Sequence, residues 1–211
     1  MTDTQKTPAE AWSELYAGNT RFAEGQSTNA DQDLARRAEL AQSQHPFALV
    51  FGCGDSRVAA ELVFDQGLGR LFVVRTAGHV VDSGVLGSVE FGVDVLSIPL
   101  VVVLGHDSCG AVGAGLESVK SGVLPNGFLR DIVERVMPSV LAAQRAGRSK
   151  PEDVGAEHVR QTVRLLVDRS SVLAEAVDRR ECAVLGLVYA LDEGRVRVVD
   201  VVGDLDVTVQ A

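Results

Sequence analysis

Short apolar runs that close on a glycine or a polar residue, and then give way to helical stretches, predict an α/β fold for this chain. The architecture expected is a mostly parallel central sheet flanked by helices, with an N-terminal helical arm and a C-terminal antiparallel strand. Three observations carry it. Apolar runs at 46–52, 71–75 and 99–105 have the length of buried strands. Between the second and third, Val85, Leu86, Val89, Val93 and Leu96 recur at helical spacing with Glu90 and Asp94 opposite, which makes a strand-helix-strand unit and requires parallel strands. Finally, the runs 183–190 and 196–202 are joined by Asp192-Glu193-Gly194, a hairpin that adds one antiparallel strand. The 211 residues, 46% hydrophobic, suit one domain over 1–211, with 1–44 as a helical arm and 45–211 as the α/β core.

At the N-terminus Thr7-Pro8-Ala9-Glu10 signals a helix start: a capping hydroxyl, a proline where no amide is needed and a glutamate placed to close a capping box. Trp12, Leu15, Tyr16 and Phe22 then form an apolar stripe, with Glu14 and Arg21 off it. Either a partner subunit or the chain's own core must cover that stripe. A second helix is expected over 31–42 with Leu34, Ala38 and Ala41 inward, and later helices over 126–145 and 153–179.

Composition excludes several function classes. Twenty Lys plus Arg against 29 Asp plus Glu give a net charge of −9, which disfavours nucleic acid as a partner. The longest apolar runs, near 98–105 and 182–191, fall short of the roughly 20 residues of a membrane-spanning helix. The polar residues 1–10 lack a secretory pattern, so a cytoplasmic location is expected. Three cysteines, Cys53, Cys109 and Cys182, argue for metal binding, catalysis or packing rather than a disulfide framework.

Ligands of open parallel sheets sit beyond the carboxyl ends of the strands, and two such ends here are rich in chemistry. The first strand runs into Cys53-Gly54-Asp55-Ser56-Arg57, the third into His106-Asp107-Ser108-Cys109-Gly110. If the chain stays extended past residue 53, alternation puts Cys53, Asp55 and Arg57 on one side. His106 and Cys109 are spaced for one turn to offer both to a single ion, and Cys53 can reach that point from the neighbouring strand. Such a Cys2His set matches zinc and leaves a fourth position open, as catalytic sites require. The plainer reading makes the cysteines core residues and His106 a satisfied polar group. Cys182, beginning a distant strand, reads as a small buried residue.

The Cys-x-Asp-x-Arg of Cys53, Asp55 and Arg57, with the His-x-x-Cys of His106 and Cys109, resembles the β-class carbonic anhydrases of bacterial type. Val74-Arg75-Thr76-Ala77-Gly78 and Gly87-Ser88-Val89-Glu90-Phe91 support the resemblance, which spans roughly residues 9 to 203. It implies reversible hydration of carbon dioxide to bicarbonate and a proton by attack of zinc-bound hydroxide, with Zn2+ on Cys53, His106 and Cys109. It also implies a homodimer or homotetramer with sites at subunit interfaces. Asp55 is then either a fourth ligand in a closed state or, paired with Arg57, a hydrogen-bond acceptor. Gln44 would bind substrate, Phe72 and Phe91 would wall an apolar pocket, and Ala77, Gly78 and Gly110 would line the site.

Some bacterial relatives hold an inhibitory bicarbonate with a Trp three residues before the first zinc Cys, an Arg and a Tyr. Val50 replaces that Trp here, so no such site is expected despite Arg75 and Tyr189. His79 stands where relatives often carry Asn and could relay protons or make a polar contact. Hydrolysis of carbonyl sulfide or carbon disulfide on the same scaffold, and a non-catalytic zinc or thiol sensor, are the competing functions. Gly105, Gly110, Gly113 and Gly115 match no nucleotide-binding fingerprint and are expected to permit close helix packing.

Overall fold

The architecture comes from a computed structural model that describes residues 6–210. Residues 1–5, part of the stretch read as lacking a secretory pattern, and residue 211 lie outside the described residues. The strands are β1 (Ala48–Cys53), β2 (Leu71–Thr76), β3 (Leu100–His106), β4 (Ala183–Tyr189) and β5 (Val196–Val202). They form one sheet in the order β2-β1-β3-β4-β5, with β1 to β4 parallel and β5 antiparallel beside β4. The helices are α1 (Pro8–Ala23), α2 (Leu34–Glu39), α3 (Ala60–Val63), α4 (Ser83–Glu90), α5 (Gly110–Ser121), α6 (Leu129–Arg145), α7 (Pro151–Arg169) and α8 (Ser171–Asp178). No helix among the described residues is long and apolar enough to cross a membrane.

Strand alternation divides the core in two. Ala48 and Val50 of β1, with Leu100, Val102 and Leu104 of β3, face α1 and α3. Leu49 and Phe51, with Val101 and Val103, face α4, α7 and α8. Every residue of β1, β3 and β4 is buried, which explains why these strands read as unbroken apolar runs rather than alternating ones. A third cluster joins Cys53, Val80 and Cys109 to Val112, Val136 and Val140 at the carboxyl end of the sheet, where α5 and α6 pack.

The capping box of α1 forms as expected, with Thr7 Oγ1 accepting from the Glu10 amide at 3.2 Å and Glu10 Oε2 accepting from the Thr7 amide at 2.8 Å. Helix α1 lies on the chain's own core through Ala11, Leu15, Gly18 and Asn19. A Cβ on Gly18 would stand 1.9 Å from the Phe64 carbonyl oxygen, so glycine is what permits this approach. Asn19 clamps the contact, donating to the carbonyls of Val63 and Gly194 and accepting from the Val196 amide. Of the predicted stripe, Leu15 is buried, Trp12 and Phe22 are half-buried, and Tyr16 is 53% exposed.

Three expectations need correction. The second helix covers Leu34–Glu39 only, and Leu34, Ala38 and Ala41 face solvent. It starts late because Asp31 adopts φ +57°, outside helix, and Asp33 caps the Arg36 amide at 2.8 Å. The single helix expected over 153–179 is α7 and α8, broken at Ser170, whose hydroxyl caps the Leu173 amide and donates to Glu90 Oε1. The helix after β2 widens into a π-turn over Phe91–Val95, a local geometry that the apolar spacing did not signal.

Candidate metal centre

Strands β1 and β3 are hydrogen-bonded neighbours running the same way, so their carboxyl ends lie side by side. Cys53 closes β1, His106 closes β3, and Cys109 is the N-cap of α5. Their ligand atoms all lie within 4.8 Å of one another, and all three residues are buried. His106 Nδ1 is 2.7 Å from the Asp107 carbonyl oxygen. Because that oxygen only accepts, Nδ1 carries the proton and Nε2 presents its lone pair to the two sulfurs. Nε2 has no hydrogen-bond partner among the described residues. A buried, unpartnered imidazole nitrogen facing two thiols is a donor set that fits a zinc ion.

Electrostatics point the same way. The neighbouring Cys109 thiol, with His106 and the Gly78 amide at 3.3 Å, brings the Cys53 thiol down to about 4 despite its burial. The Cys53 sulfur and burial in turn push the Cys109 thiol far up. Burial disfavours charge on His106, yet Cys53 and Asp55 raise it above the ordinary imidazole value.

Asp55 and Arg57 meet beside the cluster, by a turn rather than by the extended alternation expected. The chain leaves β1 at Cys53, and the Asp55 carboxylate accepts from the Arg57 amide at 2.9 Å. The guanidinium grips it at two points, Nε to Oδ1 at 3.0 Å and Nη2 to Oδ2 at 2.7 Å. Arg57 thereby holds the Asp55 carboxyl far below the usual range, with Oδ2 3.9 Å from His106 Nε2. Arg75 braces the turn, donating to the carbonyls of Cys53 at 2.9 Å and Asp55 at 2.6 Å. That bracing role was not legible in the sequence, where Arg75 stands out only as a candidate member of the bicarbonate site.

Ala77, Gly78 and Gly110 also fall at this end: Ala77 and Gly78 follow β2 beside Cys53, and Gly110 opens α5 with free space where its Cβ would be. Gln44, Phe72 and Phe91 do not. Gln44 precedes β1, exposed in a hollow with His45, Phe47, Arg70 and Pro99. Phe72 is level with Leu49, and its ring lies 6.1 Å from that of Phe91. Four residues of strand separate Leu49 from Cys53, about 13 Å at the usual rise.

His79 is sealed in the interior, with no hydrogen-bond partner for either ring nitrogen among the described residues. Burial, with His158 and His106 nearby, holds it well below the ordinary imidazole value. A neutral ring without solvent or partner neither shuttles protons nor makes the polar contact expected. Val50 is fully buried in β1. Cys182 is buried just before β4, its thiol pushed up to about 12, as a packing residue should be. Of the four glycines, Gly105 sits hard against Val159 and Gly115 against Val136, while Gly110 and Gly113 face open space.

These elements define an α/β protein with a candidate Cys2His metal centre at the carboxyl edge of a parallel sheet. The chain belongs to the β-carbonic anhydrase family and is an enzyme of it: the family model described as carbonic anhydrase matches residues 48–196. It is 52% identical over 198 residues to "Carbonic anhydrase 2" of Mycobacterium tuberculosis and 53% identical over 198 residues to the carbonic anhydrase of Mycolicibacterium smegmatis. Each match covers 94% of this chain and 96% of the relative. Among solved structures, the β-carbonic anhydrase CafA of Aspergillus fumigatus superposes with a TM-score of 0.70 at 27% identity, over 90% of both chains.

Proposed function

We propose that this enzyme interconverts carbon dioxide and bicarbonate using a zinc ion held by Cys53, Cys109 and Nε2 of His106. The observation that carries the reading is the convergence of three buried soft donors within 4.8 Å, one of them an unpartnered imidazole nitrogen. A zinc ion in such a set supplies Lewis-acid activation of water near neutral pH. The chain's own residues do the rest. Asp55, kept ionised and pinned at two points by Arg57, is an acceptor that orients the attacking water, and the pairing keeps the carboxylate from turning in as a fourth ligand. Gly110 leaves room for substrate, and the Gly78 amide steadies the Cys53 sulfur.

Gln44, Phe72 and Phe91 can take part only from a second copy, because β1 separates them from Cys53 within one chain. The proposed assembly is therefore a homodimer or a homotetramer built from it, in which the apolar pair Phe72 and Phe91 of one copy walls the carbon dioxide pocket of the other. With Val50 buried where some relatives have Trp, and Arg75 occupied in bracing the Asp55 turn, no inhibitory bicarbonate site is proposed. Three free thiols suit a reducing compartment, and the cytoplasm is the proposed location.

The test is stopped-flow hydration of carbon dioxide from pH 6.5 to 9 on protein of measured zinc content, beside Cys53→Ser. Because two thiolates neutralise the charge of the ion, turnover is expected to rise toward alkaline pH, with about one zinc per chain and none in the variant. Stoichiometric zinc without hydration at any pH would overturn the activity.

A further inference from the structure

Behind the metal centre runs a buried polar chain that none of these roles uses. His158 lies in α7 among Val154, Val159 and Thr162, on the buried side of the helix. Its Nε2 is 2.9 Å from the Gly78 carbonyl oxygen, which fixes Nε2 as the donor. Its Nδ1 is 3.0 Å from Ser139 Oγ of α6, and Ser139 in turn is 3.0 Å from Gln161 Oε1. Gln161 Nε2 donates to Glu157 Oε1 at 3.1 Å, so the chain ends on a carboxylate also paired with Arg148. The ring of His79 covers His158 with centroids 4.4 Å apart.

Gly78 is what this chain grips. It sits at φ +64°, where its conformation is not limited by a side chain, and its own amide donates to Cys53 Sγ at 3.3 Å. One residue thus has its carbonyl tied to α7 and its amide tied to a candidate ligand sulfur. A buried imidazole on an apolar helix face costs free energy unless both nitrogens are satisfied, and a leucine or phenylalanine would fill such a space at lower cost.

We propose that His158 is a positioning residue for the metal centre: by holding the Gly78 carbonyl it keeps the Gly78 amide on the Cys53 sulfur, and so sets how strongly that sulfur donates to the metal. The inference rests on the reading of Cys53 as a metal ligand. A hydrogen bond to a ligand sulfur withdraws electron density from it, and partners of this outer kind alter metal affinity by about 10–100-fold.

The experiment replaces zinc with cobalt(II) and records the sulfur-to-cobalt charge-transfer band, with zinc affinity measured in parallel by chelator competition. His158→Phe removes the donor, and the band is expected to move to longer wavelength as the sulfur becomes more electron-rich, while zinc affinity falls about tenfold because the loop no longer holds that sulfur in place. His158→Gln, which restores a donor near the position of Nε2, is expected to return both toward wild type. If His158→Phe does not fold, His158→Asn, whose amide ends short of Gly78, carries the same comparison. A wild-type band position and zinc affinity in the folded donorless variant, with only a lower melting temperature, would reduce His158 to packing and leave the metal reading intact. A wild-type protein without any band that Cys53→Ser abolishes would overturn both.

Discussion

Gly78→Ala isolates the loop that joins β2 to the metal centre. An alanine at φ +64° carries the left-handed penalty of an L-residue, about 1–2 kcal/mol. Its methyl would also stand 2.5 Å from the Ala111 Cβ at the start of α5. Carbon atoms pack best near 3.5–4.0 Å, so loop and helix must part by roughly 1 Å, a strain in the overpacking range of about 1–3 kcal/mol. The sum is about 2–5 kcal/mol, or a fall in melting temperature of about 4–20 °C for a chain of this size. Urea unfolding at one protein concentration and one metal load measures it, since assembly and metal both shift apparent stability. Ala111→Gly should rescue the steric part alone, leaving a coupling of about 1–3 kcal/mol in the double-mutant cycle. A Gly78→Ala protein within about 0.5 kcal/mol of wild type would refute the argument, as would the absence of any rescue.

Two further outcomes follow from the same geometry. Asp55→Ala and Arg57→Ala should each keep about one zinc per chain, since neither supplies a proposed resting ligand, yet lose most carbon dioxide turnover; wild-type rates in either would remove the pair from the mechanism. At Asp65 burial opposes the charge, but Arg21 at 2.6 Å and the amides of Thr28 and Asn29 prevail and hold the carboxyl below its usual range. A lowered folded-state pKa gives stability that is present above the unfolded value of about 3.9 and is lost as pH falls through the folded value. Asp65→Asn should therefore be less stable than wild type at pH 7, with the gap closing below about pH 4; urea unfolding across that range showing a constant gap would contradict it.

The centre was legible because its parts are local. Cys53 and His106 terminate apolar runs, and parallel neighbours necessarily bring those ends together. The Asp55–Arg57 pair was legible as residues and not as geometry, since a turn and an extended exit both bring positions two apart within reach. Gln44 and Phe91 are the reverse case: resemblance assigns them to a site that strand length keeps them from reaching within one chain, so they enter it only through the proposed second copy. Residues 31–42 carry helical spacing, yet the backbone at Asp31 departs from helix before the pattern can act. His158 was invisible, for its register with Val154, Val159 and Thr162 is that of any core position, and the carbonyl it holds lies 80 residues away.

The length of β1 has a consequence for inheritance. In the proposed dimer, with Cys53 closing β1 and Gln44 preceding it, a chain damaged at Cys53 and a chain damaged at Gln44 would each form homodimers without an intact site. Assembled together, they would pool both defects in one site and leave the other whole. In a cell carrying both alleles, the unit that complements would then be the strand end, and function would return through mixed assembly although neither gene product is sound.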